Sequence, residues 1–271
     1  RKYPGGVTET LRLFDGRDLL QVAVHGVPGQ TDLRLSGDRL KAQGRSNGAD
    51  WYLASEDGQA VVDHVAVVRN EDGFLIAVGP SRDAARLLLA EADTHLASWQ
   101  DQRVARLESL INGKHALDTD DARLTEALRW ITLTADELVT EQRGDGIYAG
   151  LPWFNEYWGR DSFISLPGAL LVTGQFDTAR AVLSSFAEFQ QMDPASEFFG
   201  RVPNIVKPGS IDYHTTDGTP RFIVALRDYV RYSGDQSLVT ELYPNIVASI
   251  DGALAHWTDA SGYLLHKDNE T

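Results

Sequence analysis

Residues 150–161 read Gly-Leu-Pro-Trp-Phe-Asn-Glu-Tyr-Trp-Gly-Arg-Asp. Four rings (Trp153, Phe154, Tyr157, Trp158) and three charged side chains (Glu156, Arg160, Asp161) fall within those twelve positions. A sugar presents C–H faces and hydroxyl edges, which call for flat rings on one side and hydrogen-bonding groups on the other. Arg160 can only donate and ionised Asp161 can only accept, so together they can hold adjacent hydroxyls in one orientation. Trp158 or Trp153 would be the stacking platform. The same residues would also make an aromatic corner of a core with an ion pair on its surface, and composition alone does not separate the two.

Other chemistries find little support. The chain contains no cysteine, which removes disulfides, thiolate metal sites and a cysteine nucleophile. Histidines stand at 25, 64, 95, 115, 214, 256 and 266 without ligand spacing, so no metal is expected. His25 and His64 sit at strand-like positions and read as structural. Gly144-Asp145-Gly146 is too short and too acidic for a phosphate loop, and no dinucleotide fingerprint occurs. The net charge of −14 argues against nucleic acid or an anionic membrane as partner and suits a neutral ligand, although it would equally serve solubility. No apolar run is long enough to span a bilayer.

The length of 271 residues allows one large or two modest domains, and the elements divide accordingly. Residues 1–80 read as β, with short apolar or alternating runs at 19–25, 51–53, 61–68 and 74–78 and a hairpin turn at 70–73. This suits part of a sandwich. From Ser81 the period becomes helical, and 81–117 reads as a helical linker, a helix pair that starts on a Ser81 cap and ends at Asn112-Gly113. Residues 118–271 read as helices. The first spans 118–143 with a stripe of Leu124, Leu128, Ile131, Ala135, Leu138 and Val139, capped by Asp120 or Asp121. The next runs from Asp161 to Val172 with a bend at Pro167, followed by a return helix from Phe176 to Gln190. A long excursion over 192–216 follows, of the kind that usually serves function when ordered. A helix then opens at Thr216-Asp217 with an N1-type Pro220, and the last runs from Leu238 to Trp257.

The ordered set Pro152-Trp153-Phe154, Trp158-Gly159-Arg160-Asp161, Leu166-Pro167-Gly168, Gly174-Gln175-Phe176, Val202-Pro203-Asn204, Thr216-Asp217, Leu264-Leu265-His266 and Asp268-Asn269-Glu270-Thr271 resembles the amylo-α-1,6-glucosidase family, the C-terminal domain of glycogen debranching enzymes. The resemblance covers roughly residues 120–271. It implies an (α/α)6 barrel, preceded here by a β-sandwich-like part, with the Trp-x-Arg-Asp turn lining the pocket for the terminal sugar. It adds Asn204, Asp217 and Glu270 to Trp153, Phe154, Trp158, Arg160 and Asp161 as substrate-binding candidates. Asp217 would meet a sugar hydroxyl, cap its helix, or do both. Tyr213 and His214 stand beside it, with a structural role the leading reading for each.

The implied reaction is hydrolysis of α-1,6-linked glucose stubs of glycogen or a related glucan, with inversion and without a cofactor. Inverting glycosidases use two carboxyl groups about 6.5–9.5 Å apart. The family's acid and base are expected beyond Thr271, so five of twelve barrel helices would be present, the rest coming from the same polypeptide. The alternatives are another (α/α)6 glycosidase resembling glucoamylase, trehalase or glycoside hydrolase family 63, or a non-catalytic carbohydrate-binding protein. The expected location is cytoplasmic. A periplasmic or secreted one stays open because the sequence starts at Arg1.

Overall fold

The computed structural model describes residues 1–26, 42–46, 49–53, 55–56, 59–60, 65–69, 73–113, 116–207 and 209–265. The chain divides into two compact units, Arg1–Leu107 and Glu108–Thr271.

The first unit holds β1 (Thr8–Phe14), β2 (Arg17–His25), β3 (Ala42–Ser46), β4 (Ala49–Leu53), β5 (Ser55–Glu56), β6 (Gln59–Ala60), β7 (Val65–Arg69) and β8 (Gly73–Val78). Four of them form an antiparallel sheet in the order β1-β2-β8-β7, while β3–β4 and β5–β6 are separate pairs. The helix α1 (Arg82–Asn112) follows. Phe14, Leu19, Leu75 and Ala77 of the sheet share a core with Ala85, Ala92 and Trp99 of α1. Among the described residues, the element packed on this core face is therefore α1, where a sandwich would put a second sheet. At the β1–β2 turn Asp15 accepts from Arg103 and, at 2.6 Å, from Arg106 Nε, while Arg17 lies 4.1 Å over the Trp99 ring.

Strands form where the runs at 19–25, 51–53 and 74–78 placed them, and β1 adds to those expectations. Residues 61–64, His64 among them, and 70–72 of the expected hairpin turn lie outside the described residues. The expected helix pair is one unbroken helix of 31 residues. No glycine or proline interrupts 82–112, so nothing within it ends the hydrogen-bond ladder. Ser81 caps it as expected, its Oγ accepting from Ala84 N at 3.2 Å.

The second unit runs α2 (Ala122–Asp136), β9 (Val139–Thr140), β10 (Gly146–Gly150), β11 (Phe154–Trp158), α3 (Gly159–Leu166), a π-helical turn (Pro167–Leu171), α4 (Phe176–Glu188), β12 (Ile205–Lys207), β13 (Ser210–Asp212), α5 (Gly218–Ser233), α6 (Ser237–Glu241) and α7 (Tyr243–His256). Its core is helical. Phe163 and Leu166 of α3, Val182, Leu183 and Phe186 of α4, and Phe222, Leu226 and Tyr229 of α5 are buried together. Phe163 sits edge-on to both Phe186 (4.8 Å) and Phe222 (5.4 Å).

The expectation of purely helical structure here needs correction. Five short strands form a sheet in the order β13-β12-β11-β10-β9, and Ile147, Tyr157 and Val206 carry it into the helical core. Strands of two to five residues are too short to show an alternating pattern, so they read as loops. Pairing of Val139 and Thr140 with Ile147 and Gly146 also ends the first helix at Asp136, short of Arg143. Asp121 is its cap, accepting from Arg123 N at 2.9 Å and Leu124 N at 3.4 Å. The stripe on α2 is not core: Leu124 is 50% and Ile131 65% exposed.

Two prolines shape the remaining helices. Pro167 has no N–H to give and crowds the turn before it, and the chain answers with a wider turn in which Val172 N bonds Pro167 O at 3.0 Å. Pro244 splits the expected 238–257 helix into α6 and α7 for the same reason. The face α7 buries carries Ala248, Ser249 and Gly252, while its larger Ile250 and Leu254 are exposed. There the backbone of Phe199-Gly200 comes so close that an added Cβ on Gly252 would stand 1.9 Å from Phe199 O. Small residues win that face because backbone, not side chain, is what packs on it.

Candidate functional site

The site begins at the corner where β11 turns into α3. Tyr157, fully buried on β11, fixes it. Its hydroxyl accepts from Gln142 N at 2.6 Å and faces the carbonyls of Thr140 (2.7 Å) and Gly144 (3.0 Å). Burial pushes the phenol up to about 12, so it stays neutral. Gly146 of the neighbouring strand leaves room for the ring; a Cβ there would lie 2.4 Å from it.

Past Trp158, the chain must bring α3 against the 202–204 segment, and Gly159 permits this. Its N–H donates to Asn204 O at 2.6 Å, and a Cβ on Gly159 would fall 2.2 Å from Pro203 O. Asn204 is thereby locked: its N–H donates to Asp212 O at 2.7 Å and its Nδ2 to His214 O at 3.3 Å. The residue is 5% exposed, and its Oδ1 meets no donor among the described residues. The indole Nε1 of half-buried Trp158 is likewise buried without an acceptor among the described residues.

The α3 corner then meets the start of α5. Arg160 Nε donates to Asp217 Oδ1 at 2.7 Å and its Nη2 to Thr215 Oγ1 at 3.0 Å. The Thr215 hydroxyl donates to the same Asp217 oxygen at 3.1 Å, and Arg221 Nε donates to the other oxygen at 2.7 Å. Burial works to raise the Asp217 carboxyl, but its bonds from Arg221, Arg160 and Thr215 outweigh this and hold it below 3.8. Asp217 stands at the N-cap position of α5, yet its side chain makes no cap bond. Pro220 is the third helical residue rather than the first, so one of the two N–H groups that a capping side chain normally engages is missing.

Arg160 and Asp161 are thus not a mutual pair. Arg160 turns inward to Asp217, while Asp161 is exposed and has no hydrogen-bond or ionic partner among the described residues. Trp153 is 82% and Phe154 54% exposed, and the Phe154 ring stands edge-on to Trp158 at 6.2 Å. Glu156 leaves this group to pair with Lys207 at 3.7 Å.

The 192–216 excursion is ordered by its rings. Phe198 stacks on Tyr213 (6.0 Å) and on Trp257 (6.1 Å), and the buried Arg201 guanidinium lies 3.3 Å over Trp257. His214 Nδ1 meets Asp212 Oδ1 at 2.7 Å. The structure therefore joins Arg160, Asp217 and, through the 203–204 contact, Asn204. Glu270 lies outside the described residues. Thr215 and Arg221 were not among the sequence candidates; the Asp217/Arg221 spacing of four on one helix was the signal available for the second.

Comparison with known proteins agrees with the motif resemblance. The family described as Amylo-alpha-1,6-glucosidase matches residues 111–271. The glycogen debranching enzyme of Saccharomyces cerevisiae is 31% identical over 142 residues, an alignment covering 49% of this chain and 9% of that enzyme. The chain therefore spans a small part of that relative.

Proposed function

As the chain belongs to the amylo-α-1,6-glucosidase family, we propose that it is part of a glycoside hydrolase that removes α-1,6-linked glucose from glycogen or a related α-glucan. The observation that carries this reading is the contrast at the head of α3. Arg160 is braced by Asp217 and Thr215, while the adjacent Asp161 carboxylate is exposed and unengaged among the described residues, and Trp153 and Phe154, a few positions earlier in the chain, are exposed as well. A braced donor, a free acceptor and exposed ring faces are what a neutral sugar requires.

In this reading residues 118–271 belong to an (α/α)6 barrel, with 1–80 as a β-rich support and 81–117 as the helical linker. Trp153, Phe154, Trp158, Arg160, Asp161, Asn204, Asp217 and Glu270 form the sugar-gripping side. The acid and base of an inverting mechanism lie outside residues 1–271, set far enough apart to admit a water between carboxylate and sugar. No cofactor is needed: the acid protonates the leaving oxygen as the glycosidic bond breaks, and the base takes a proton from the water that bonds to the anomeric carbon.

The test is glucose release by the full-length protein from a phosphorylase-limit dextrin, with maltotriose in parallel. Glucose from the dextrin and little from maltotriose is the expected result. Faster release from maltotriose would move the protein to a glucoamylase-like activity. No release from either by a folded sample would overturn the α-glucosidase reading and favour sugar binding without hydrolysis.

A further inference from the structure

The carboxylate of Asp217 is shared between two arginines, and the second lies outside every family motif matched above. A carboxylate facing one guanidinium normally engages it through both oxygens, which is the stronger arrangement. Asp217 does not. Only Oδ1 faces Arg160, through Nε, and Arg160 Nη2 goes instead to the Thr215 hydroxyl. Oδ2 is held by Arg221 Nε at 2.7 Å from one turn along α5.

Two further features keep the carboxylate in this divided role. Pro220 removes one N–H that would draw it onto the helix end as a cap. Gly218 lets Thr215 fold back on the helix start, since a Cβ there would lie 2.5 Å from Thr215 Cγ2. Thr215 Oγ1 is thereby brought within reach of both Arg160 and Asp217. An exposed Asp–Arg pair spaced by four on a helix ordinarily contributes little. What sets this one apart is that its carboxylate also fixes an arginine on another helix.

We propose that Arg221 is a positioning residue for the glucan site: by occupying Asp217 Oδ2, it confines Asp217 to a single bond with Arg160 and so sets the plane of the Arg160 guanidinium. This rests on the proposed function for the identity of the ligand, but not for the geometry. Without Arg221, the freed Oδ2 turns to Arg160, the pair becomes bidentate, and Nη2 is drawn off Thr215.

The experiment has two arms on the full-length protein. The first is a crystal structure of Arg221→Ala. A bidentate Arg160–Asp217 pair with the Arg160–Thr215 bond broken is expected, and an unchanged Arg160–Asp217–Thr215 arrangement would overturn the proposal whatever the substrate. The second compares kcat and KM on phosphorylase-limit dextrin for wild type, Arg221→Ala and Arg221→Lys. The alanine variant should raise KM about three- to tenfold with kcat much less affected, as for lost substrate binding. Lysine, which can still neutralise Oδ2, should restore most of it. A lower Tm with unchanged KM would mean a structural ion pair only and would also overturn the proposal. A wild-type protein inactive on dextrin would instead refute the α-glucosidase reading, leaving the crystallographic arm to decide the positioning role.

Discussion

Replacing Gly159 with alanine sets helix propensity against tertiary packing, because the two give opposite signs. Gly159 is the first residue of α3, and an interior glycine-to-alanine change in a helix gains up to about 1 kcal/mol. The structure predicts a loss. The new Cβ would lie 2.2 Å from Pro203 O and 3.4 Å from ring carbons of both Phe163 and Phe186. The obstructing atom is a backbone carbonyl, so no rotamer change relieves it. The strand segment behind it is held by the Gly159 N–H bond to Asn204 O at 2.6 Å and by the β11–β12 pairing. Overpacking of this kind costs about 1–3 kcal/mol. Stretching the Gly159–Asn204 bond costs about 1 more. After the propensity gain, a net destabilisation of about 2 kcal/mol remains. A unit of this size shifts by about 2–4 °C per kcal/mol, so its melting transition should fall by about 4–8 °C. Gly168→Ala is the control: an added Cβ meets nothing within 4 Å, and Tm should hold or rise. Thermal unfolding followed by near-ultraviolet circular dichroism reads both. A Gly159→Ala Tm equal to or above wild type would refute the close-approach argument.

Tyr157→Phe keeps the ring but leaves Gln142 N–H without its 2.6 Å acceptor, at a cost of about 1–3 kcal/mol in chemical denaturation. The Tyr157 phenol is raised to about 12, so its contribution is whole below pH 10 and drains as pH rises towards 12; the phenylalanine variant should lack that alkaline loss. The Asp217 carboxyl is depressed, so the opposite sign applies: its stabilisation is present above 3.8 and lost as pH falls below that value. The stability gap between wild type and Asp217→Asn should therefore be flat above pH 4 and narrow under acid. Asp161→Ala removes no contact of the described structure, so Tm should not move, while kcat/KM on limit dextrin should fall about ten- to a hundredfold, the loss of one charge-assisted bond to the sugar. Unchanged kcat/KM would remove Asp161 from the site.

Sequence alone determined the features that depend on local chemistry. Ser81 caps its helix, and Asp121, one of two adjacent candidates, caps the next, because a short oxygen side chain beside free N–H groups bonds them wherever the helix lies. Gly234 ends α5 in the left-handed conformation that glycine adopts without cost. The buried faces of α4 and α5 follow the 3.6-residue period, and the cluster at 153–161 stands out as a candidate site because its groups are adjacent along the chain. Only the tertiary structure decided what depends on residues far apart. Asp217 looked like a cap as well as a sugar contact, and its side chain does not cap, because Arg160, 57 positions away, and Arg221 divide its oxygens. Arg160 and Asp161 looked like a pair because they are neighbours, but successive residues on a helix point about 100° apart, so one faces α5 and the other solvent. The five-stranded sheet was invisible for the same reason: strands of two to five residues have no period to show, and their pairing exists only when the helices between them have packed.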